Sequence, residues 1–265
     1  ANTGNTYDPV TLENVGVPIV GQVRHDDSFR MPSRHLGLVR AMENQQLEAF
    51  LEIVATGVAR ETSLDKLLQL AAPHSNQTAR RPVALSPFAQ SIAIARDEAF
   101  SFAYPHLLDG WRKDGAELSF FSPLNDEGPT KAQAVFLPGG YPELHAGKLA
   151  SNSHFLDGLK SFNGLIYGEC GGYMPLGDSL TDAKGETHRI AGLLPLATSF
   201  STRKLQLGYR QLTSLAGPFP KHLRGHEFHY ASITSEGNAD RLFGAFTANS
   251  TPLPPMGLRR GDIRE

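Results

Sequence analysis

The sequence predicts an α/β fold, an open and mostly parallel sheet with helices on both faces. Two observations point to it. From Ser91 onward, short apolar runs alternate with stretches of helical period. Those runs stop at glycine or proline, as strands entering tight turns do. A third observation qualifies the first two. The last third is less regular and reads as strands joined by turns, an antiparallel extension of the sheet.

The elements follow in order. Val15–Val23, "VGVPIVGQV", predicts a short strand. Leu47, Phe50, Leu51, Val54 and Val58 recur at helical spacing. Thr62 or Ser63 is placed to cap a last short helix through Leu70, with Asp65 in its first turn. One strand and two helices are too little for an independent core, so residues 1–74 read as a remnant packed on something larger. Residues 75–90 are rich in proline and serine without a period, a linker. Then come a strand over "SIAIARD", a helix from Tyr104 to Asp114, and strands over "AELSFFSPL" and "QAVFLPGGY". A helical stretch from Glu143 to Ser161 leads to a strand over "GLIYGEC". "GLLPLATSF", "QLGYRQLTSL", "RGHEFHYASI" and "DRLFGAFTAN" supply the antiparallel strands, and the last nine residues end without a helix or a cap.

Composition removes several classes of function. The 265 residues carry a formal net charge of -2, so there is no basic footprint for nucleic acid. No apolar run approaches a membrane span, and the polar N-terminus lacks a secretory pattern. One cysteine forms no internal disulfide and no cysteine-based zinc site. A soluble protein of the reducing cytoplasm is expected.

In parallel sheets, function gathers where strands end at their carboxyl edge. Three such ends stand out: Arg96-Asp97-Glu98, Gly139-Gly140-Tyr141 and Gly168-Glu169-Cys170. The last holds the sole cysteine between glycines, straight after a buried strand. A lone cysteine is more often an inert buried thiol. Here strand, sharp turn, nucleophile and helix start resemble the serine elbow of hydrolases with sulfur for oxygen. Helical spacing of Tyr173, Leu176 and Leu180 predicts a helix whose N-terminus favours thiolate. The Gly171 N–H is placed to hold an oxyanion. Gly139 and Gly140 let a second N–H approach, and Tyr141 walls the pocket.

Together, Gly139-Gly140 and Gly168-Glu169-Cys170-Gly171-Gly172 resemble class I glutamine amidotransferases, whose sheet is flavodoxin-like. More narrowly, "IAIARDEAFSF", "FFSPLND", "FLPGGYPELHA", "YGECGGYMPLG", "GLLP", "LGYR" and "RGHEFHYA" are similar to the C-terminal domain of cobyrinic and hydrogenobyrinic acid a,c-diamide synthases. "GVPIVGQVRHDDSFRMPSRHLGLVRA" resembles the end of that family's ATP-dependent domain. The resemblance implies three domain assignments: 1–74 from the ATP-dependent amidoligase, 75–90 a linker, and 91–265 the amidotransferase, ending before its last strand. It implies that Cys170 attacks the side-chain amide of L-glutamine. It further implies that ammonia amidates a corrinoid acid, with ATP and Mg2+ handled by the N-terminal domain and no cofactor or metal in the amidotransferase part. A homodimer is compatible with it.

Two departures matter. No phosphate-binding loop of the G-x-x-x-x-G-K-[ST] type is present, and "ANTGNT" lacks the lysine. The family's catalytic histidine follows the "GLRRG" segment, whereas no histidine follows His229 here. The base is therefore expected beyond Glu265, with His229 as the in-chain candidate. On a strand, His226 and His229 point to opposite faces. Arg96, Asp97, Glu98 and His226 are candidates for substrate or domain contacts; an ion-pair cluster is the plain alternative for the first three. Two other functions compete: a stand-alone cysteine hydrolase, and a non-catalytic corrinoid-binding module.

Overall fold

The structure, a computed structural model, describes residues 16–31, 41, 44–71, 85–261 and, as backbone, 263–264. The chain divides into two compact units, Ala1–Arg80 and Arg81–Glu265.

In the first unit, helix α1 (Leu47–Glu61) and helix α2 (Leu64–Leu70) form as the periodicity predicts. Ser63, rather than Thr62, caps α2; its hydroxyl accepts the Lys66 N–H at 3.3 Å. The expected strand does not form within 16–23. Its backbone runs along the α1–α2 corner instead. Gln22 N–H donates to Glu61 O at 3.1 Å and Ser63 N–H donates to Val20 O at 2.7 Å. One isolated bridge, Gly21 with Thr62, is all the pairing there. "ANTGNT" and residues 75–84 of the expected linker lie outside the described residues.

The second unit holds a nine-stranded sheet in the order β2-β1-β3-β4-β13-β12-β11-β8-β9. Strands β1 (Ser91–Ala95), β2 (Glu117–Phe121), β3 (Ala134–Leu137), β4 (Leu165–Gly168) and β13 (Ile263–Arg264) are mutually parallel. Strands β8 (Gln206–Ser214), β9 (His222–His229), β11 (Asp240–Thr247) and β12 (Pro252–Arg260) continue it antiparallel. A second, four-stranded sheet runs β10-β7-β5-β6. It joins β5 (Ser179–Thr181), β6 (Thr187–Arg189), β7 (Leu196–Ser199) and β10 (Ser232–Glu236).

Side-chain alternation along the parallel strands builds two apolar layers. Ile92, Ile94, Ala134 and Phe136 face Leu108 and Trp111 of helix α3 (Pro105–Lys113). Ala93, Ala95, Val135, Leu137 and Ile166 face the opposite way. There they meet Leu149 of α4 (Ala146–Ser151) and Phe155, Leu156 and Leu159 of α5 (Ser153–Ser161). The sheet is thus covered on both faces, and its carboxyl edge is left for the site.

Several expectations are corrected. The helical stretch from Glu143 breaks at Asn152, whose side-chain amide donates to Pro123 O at 2.7 Å. "RGHEFHYASI" is two strands in different sheets, β9 and β10. The β5–β6 hairpin was missed because three-residue strands show no period. β12 was missed because Pro252, Pro254 and Pro255 argue against a strand; a register shift opposite Phe243 and Ala245 accommodates them. In the final segment, Ile263 and Arg264 already pair in the middle of the sheet.

Leu85–Gln90 belong to this unit's core rather than to a linker. The Trp111 indole N–H donates to Leu85 O at 3.0 Å. Phe88 meets Trp111 at 4.8 Å, Tyr167 at 5.1 Å and Phe219 at 5.7 Å between ring centroids. Phe88→Ala should therefore cost about 2–4 kcal/mol, read as a lower urea midpoint with unchanged m-value.

Candidate active site

Cys170 stands just past β4 with φ at 51°. A left-handed backbone at a non-glycine residue costs about 1–3 kcal/mol and persists only where neighbours enforce it. Here backbone packs directly on backbone. Glu169 N–H donates to Leu137 O at 3.1 Å, and Gly172 N–H donates to Glu169 O at 2.8 Å. Gly172 lies so close to the Leu137 carbonyl that a Cβ would overlap it. No α-helix follows, contrary to expectation. Two single 3-10 turns, Cys170–Gly172 and Met174–Leu176, lead into β5 instead. Pro175 and the flanking glycines prevent the hydrogen-bond ladder from extending.

The second glycine turn meets the first. Tyr141 N–H donates to Ala99 O and Phe102 N–H donates to Gly139 O, each at 3.0 Å. The loop after β1 therefore braces the loop after β3. A Cβ on Gly171 would stand 2.7 Å from the Gly140 nitrogen. This contact lets the N–H groups of Gly140 and Gly171 both donate to the Cys170 sulfur. Tyr141 is buried beside them, its ring 5.0 Å from that of Phe102.

Cys170 is solvent-accessible, yet protein crowds the thiol on most sides, and that crowding governs its charge. Burial pushes the thiol up to about 11; the two N–H donors pull it down, and carboxylates of Glu169 and Glu143 push it further up. The expected thiolate-favouring helix is missing, so the resting group is a neutral thiol. Two acids at the site carry no role assigned from the sequence, although Glu169 belongs to one of its three strand ends. Glu143, only 4% exposed, sits on the turn after Tyr141; burial pushes it up to about 7, and its Oε1 has no hydrogen-bond partner. Burial likewise pushes Glu169 up to about 7, against a hydrogen bond from Tyr167. Tyr104 is raised by burial and then by the charges of Glu169 and Cys170.

The cleft beside Cys170 encloses about 800 Å³ and is lined in part by Glu169, Met174, Arg210, Glu227 and His229. Glu227 and His229 are half-buried and alternate with exposed His226 and Phe228, as strand geometry requires. His229 is committed elsewhere. Its Nδ1 faces Ala231 O at 3.1 Å and its Nε2 faces Glu227 Oε1 at 2.9 Å. Burial pushes Glu227 up, but hydrogen bonds from His229 and Arg210 outweigh it and hold the carboxyl below its ordinary value. Arg210 Nε donates to Glu227 Oε2 at 2.8 Å. Both ring nitrogens of His229 are thus occupied by oxygen partners of this cleft wall.

The cluster at the end of β1 also resolves. Asp97 is a loop anchor: its carboxylate accepts from Ala99 N–H and Leu124 N–H at 2.8 Å and from the Ser122 hydroxyl at 3.1 Å. Arg96 lies over the Phe120 ring, 5.0 Å from its centroid, and both Arg96 and Glu98 are exposed. On the β5–β6 hairpin, Asp182, Glu186 and His188 bring ligand-type atoms within 4.8 Å of one another. Asp182 already accepts from the backbone of Lys184 and Glu186, which accounts for the trio as hairpin bonding.

A strained thiol facing two converging N–H donors is the geometry of acyl transfer. Residues 91–259 match the family model of the CobB/CobQ-like glutamine amidotransferase domain. The chain belongs to this family. Hydrogenobyrinate a,c-diamide synthases from Brucella anthropi and Brucella abortus are 48% and 49% identical over 258 residues, 95% of this chain. The chain spans 59% of the length of those relatives. A solved glutamine amidotransferase from Thermotoga maritima superposes on 67% of this chain and 74% of its own, with 16% identity and a TM-score of 0.43.

Two measurements test the amidotransferase site's electrostatics. Alkylation of Cys170 by iodoacetamide should keep accelerating above pH 9 towards about 11, without a plateau near neutrality. Glu143 binds its proton more tightly in the folded chain, so its contribution falls as pH rises from about 4.5 through about 7. Glu143→Gln should thus leave stability unchanged at pH 4.5 and raise it by about 2–3 kcal/mol at pH 8, read by thermal melts.

Proposed function

We propose that the second unit is the glutaminase of a ligase that amidates the a and c side-chain carboxylates of hydrogenobyrinate. The observation that carries this is the convergence of the Gly140 and Gly171 N–H groups on Cys170 at a left-handed elbow. In the proposed reaction the sulfur attacks the side-chain amide carbon of L-glutamine. The carbonyl oxygen takes the negative charge and rests between the two N–H groups. The C–N bond breaks, ammonia leaves, and a thioester remains. Water then adds to the thioester, glutamate departs, and the thiol is restored. The sulfur's proton must pass to a base and on to the leaving amine, because the resting group is a thiol.

We propose that the base lies in the part of the relatives that this chain does not span, with His229 as the in-chain alternative. Strand β13 runs parallel beside β4, with Arg264 level with Tyr167, three positions before Cys170. A continuation in register emerges at the edge where the nucleophile stands. His229, bonded to Glu227 and to Ala231 O, would fix the cleft wall through Glu227 and Arg210.

Ammonia needs an activated carboxylate as acceptor. ATP with Mg2+ would supply that activation, but this chain's residues do not fit them, lacking a phosphate-binding loop. We assign that chemistry to the part of the relatives that this chain does not span. Helices α1 and α2, with Leu64, Leu67, Leu68 and Leu70 exposed, would belong to it.

An electrophilic glutamine analogue should add its mass at Cys170 alone, and Cys170→Ala should abolish the adduct. A folded chain that takes no label would sink the glutaminase reading. Extending the chain past Glu265 to include a histidine should raise glutamine hydrolysis on the order of 100-fold or more, measured as ammonia release.

A further inference from the structure

The charged side chains of the cleft are largely engaged with one another. Arg210, Glu227 and His229 form one chain, and Arg241 pairs with Glu236. One neutral group there is not engaged. Thr198, on β7, is 3% exposed; its hydroxyl is buried and has no hydrogen-bond partner. The residue lines the same cleft as Cys170, Met174 and Ile233.

Its position is set by the second sheet. β7 pairs with β5 and β10, which brings Thr198 level with Leu180 and Ile233. The turn Met174–Leu176, which follows the nucleophile elbow, packs against β7. Valine has the same shape and would suit this apolar surrounding without leaving a polar atom unsatisfied. A hydroxyl is the costlier choice for the fold alone. It is also both donor and acceptor, as required by a ligand that presents an ammonium beside a carboxylate.

We infer that Thr198 holds the α-amino-acid head of the amide substrate while the side-chain amide reaches Cys170. This rests on the glutaminase reading. Thr198 touches substrate away from the reacting carbon, so it sets affinity and leaves the nucleophile's own reactivity alone.

The test is protection of Cys170 from iodoacetamide by L-glutamine, which requires no turnover. Wild type should show saturable protection. Thr198→Val should raise the half-protecting concentration at least tenfold while leaving the alkylation rate without glutamine unchanged. Thr198→Ser should stay within twofold of wild type. A structural role predicts the opposite pattern: Val equal to wild type in protection and no less stable to heat. Protection that survives Thr198→Val overturns this assignment alone. A thiol that alkylates but that glutamine never protects, in wild type, overturns the glutaminase reading and the assignment with it.

Discussion

The second unit depends on a close approach of backbone to backbone at the carboxyl edge of its sheet. The ends of β3 and β4 touch with almost no side chain between them. Gly172 rests on the Leu137 carbonyl, and Gly171 abuts the Gly140 nitrogen. The loop after β1 closes over the pair through Ala99 and Gly139. Cys170 is carried into its left-handed conformation by these contacts rather than by any preference of its own. The two donors owe their convergence to the same contacts. The fold therefore creates the nucleophile's strain and its anion site in one act of packing.

That packing has an electrostatic cost. Bringing three loops together buries Glu143 and Glu169 near the sulfur and strips water from all three groups. The site at rest is thus reluctant to hold negative charge. It has N–H groups aimed at an anion and carboxyls that resist one. This favours stabilising charge as it develops on a bound carbonyl over storing it on free sulfur.

Much of this was legible in the sequence. Gly139-Gly140 and Gly168-Glu169-Cys170-Gly171-Gly172 are readable because only glycine permits such approach, and the structure brings them together. The parallel strands are readable as short, largely apolar runs, and β2, β3 and β4 run into proline or glycine. What escaped was set by distant partners. Pro252, Pro254 and Pro255 hide β12, which exists through its neighbour β11. The expected helix after Cys170 gives way to Pro175 and to the demands of β5. Glu143 carries no local signal, since a glutamate in a turn is ordinarily solvated; burial alone makes it unusual. His229 reads as a candidate base by residue type, and its two oxygen partners, Glu227 and Ala231, are set by the fold and invisible in the sequence. Asp97, a candidate substrate or domain contact in the sequence, proves to be a knot between two loops.

The place of β13 has a consequence for how this sheet assembles. Ile263 and Arg264 come late in the chain yet lie at the centre of nine strands, joining the parallel half to the antiparallel half. Each half has local partners and can gather early. Their union must wait for a seam contributed from far along the sequence, a high-contact-order step. The strand that carries the nucleophile is therefore the last to be walled in on both sides.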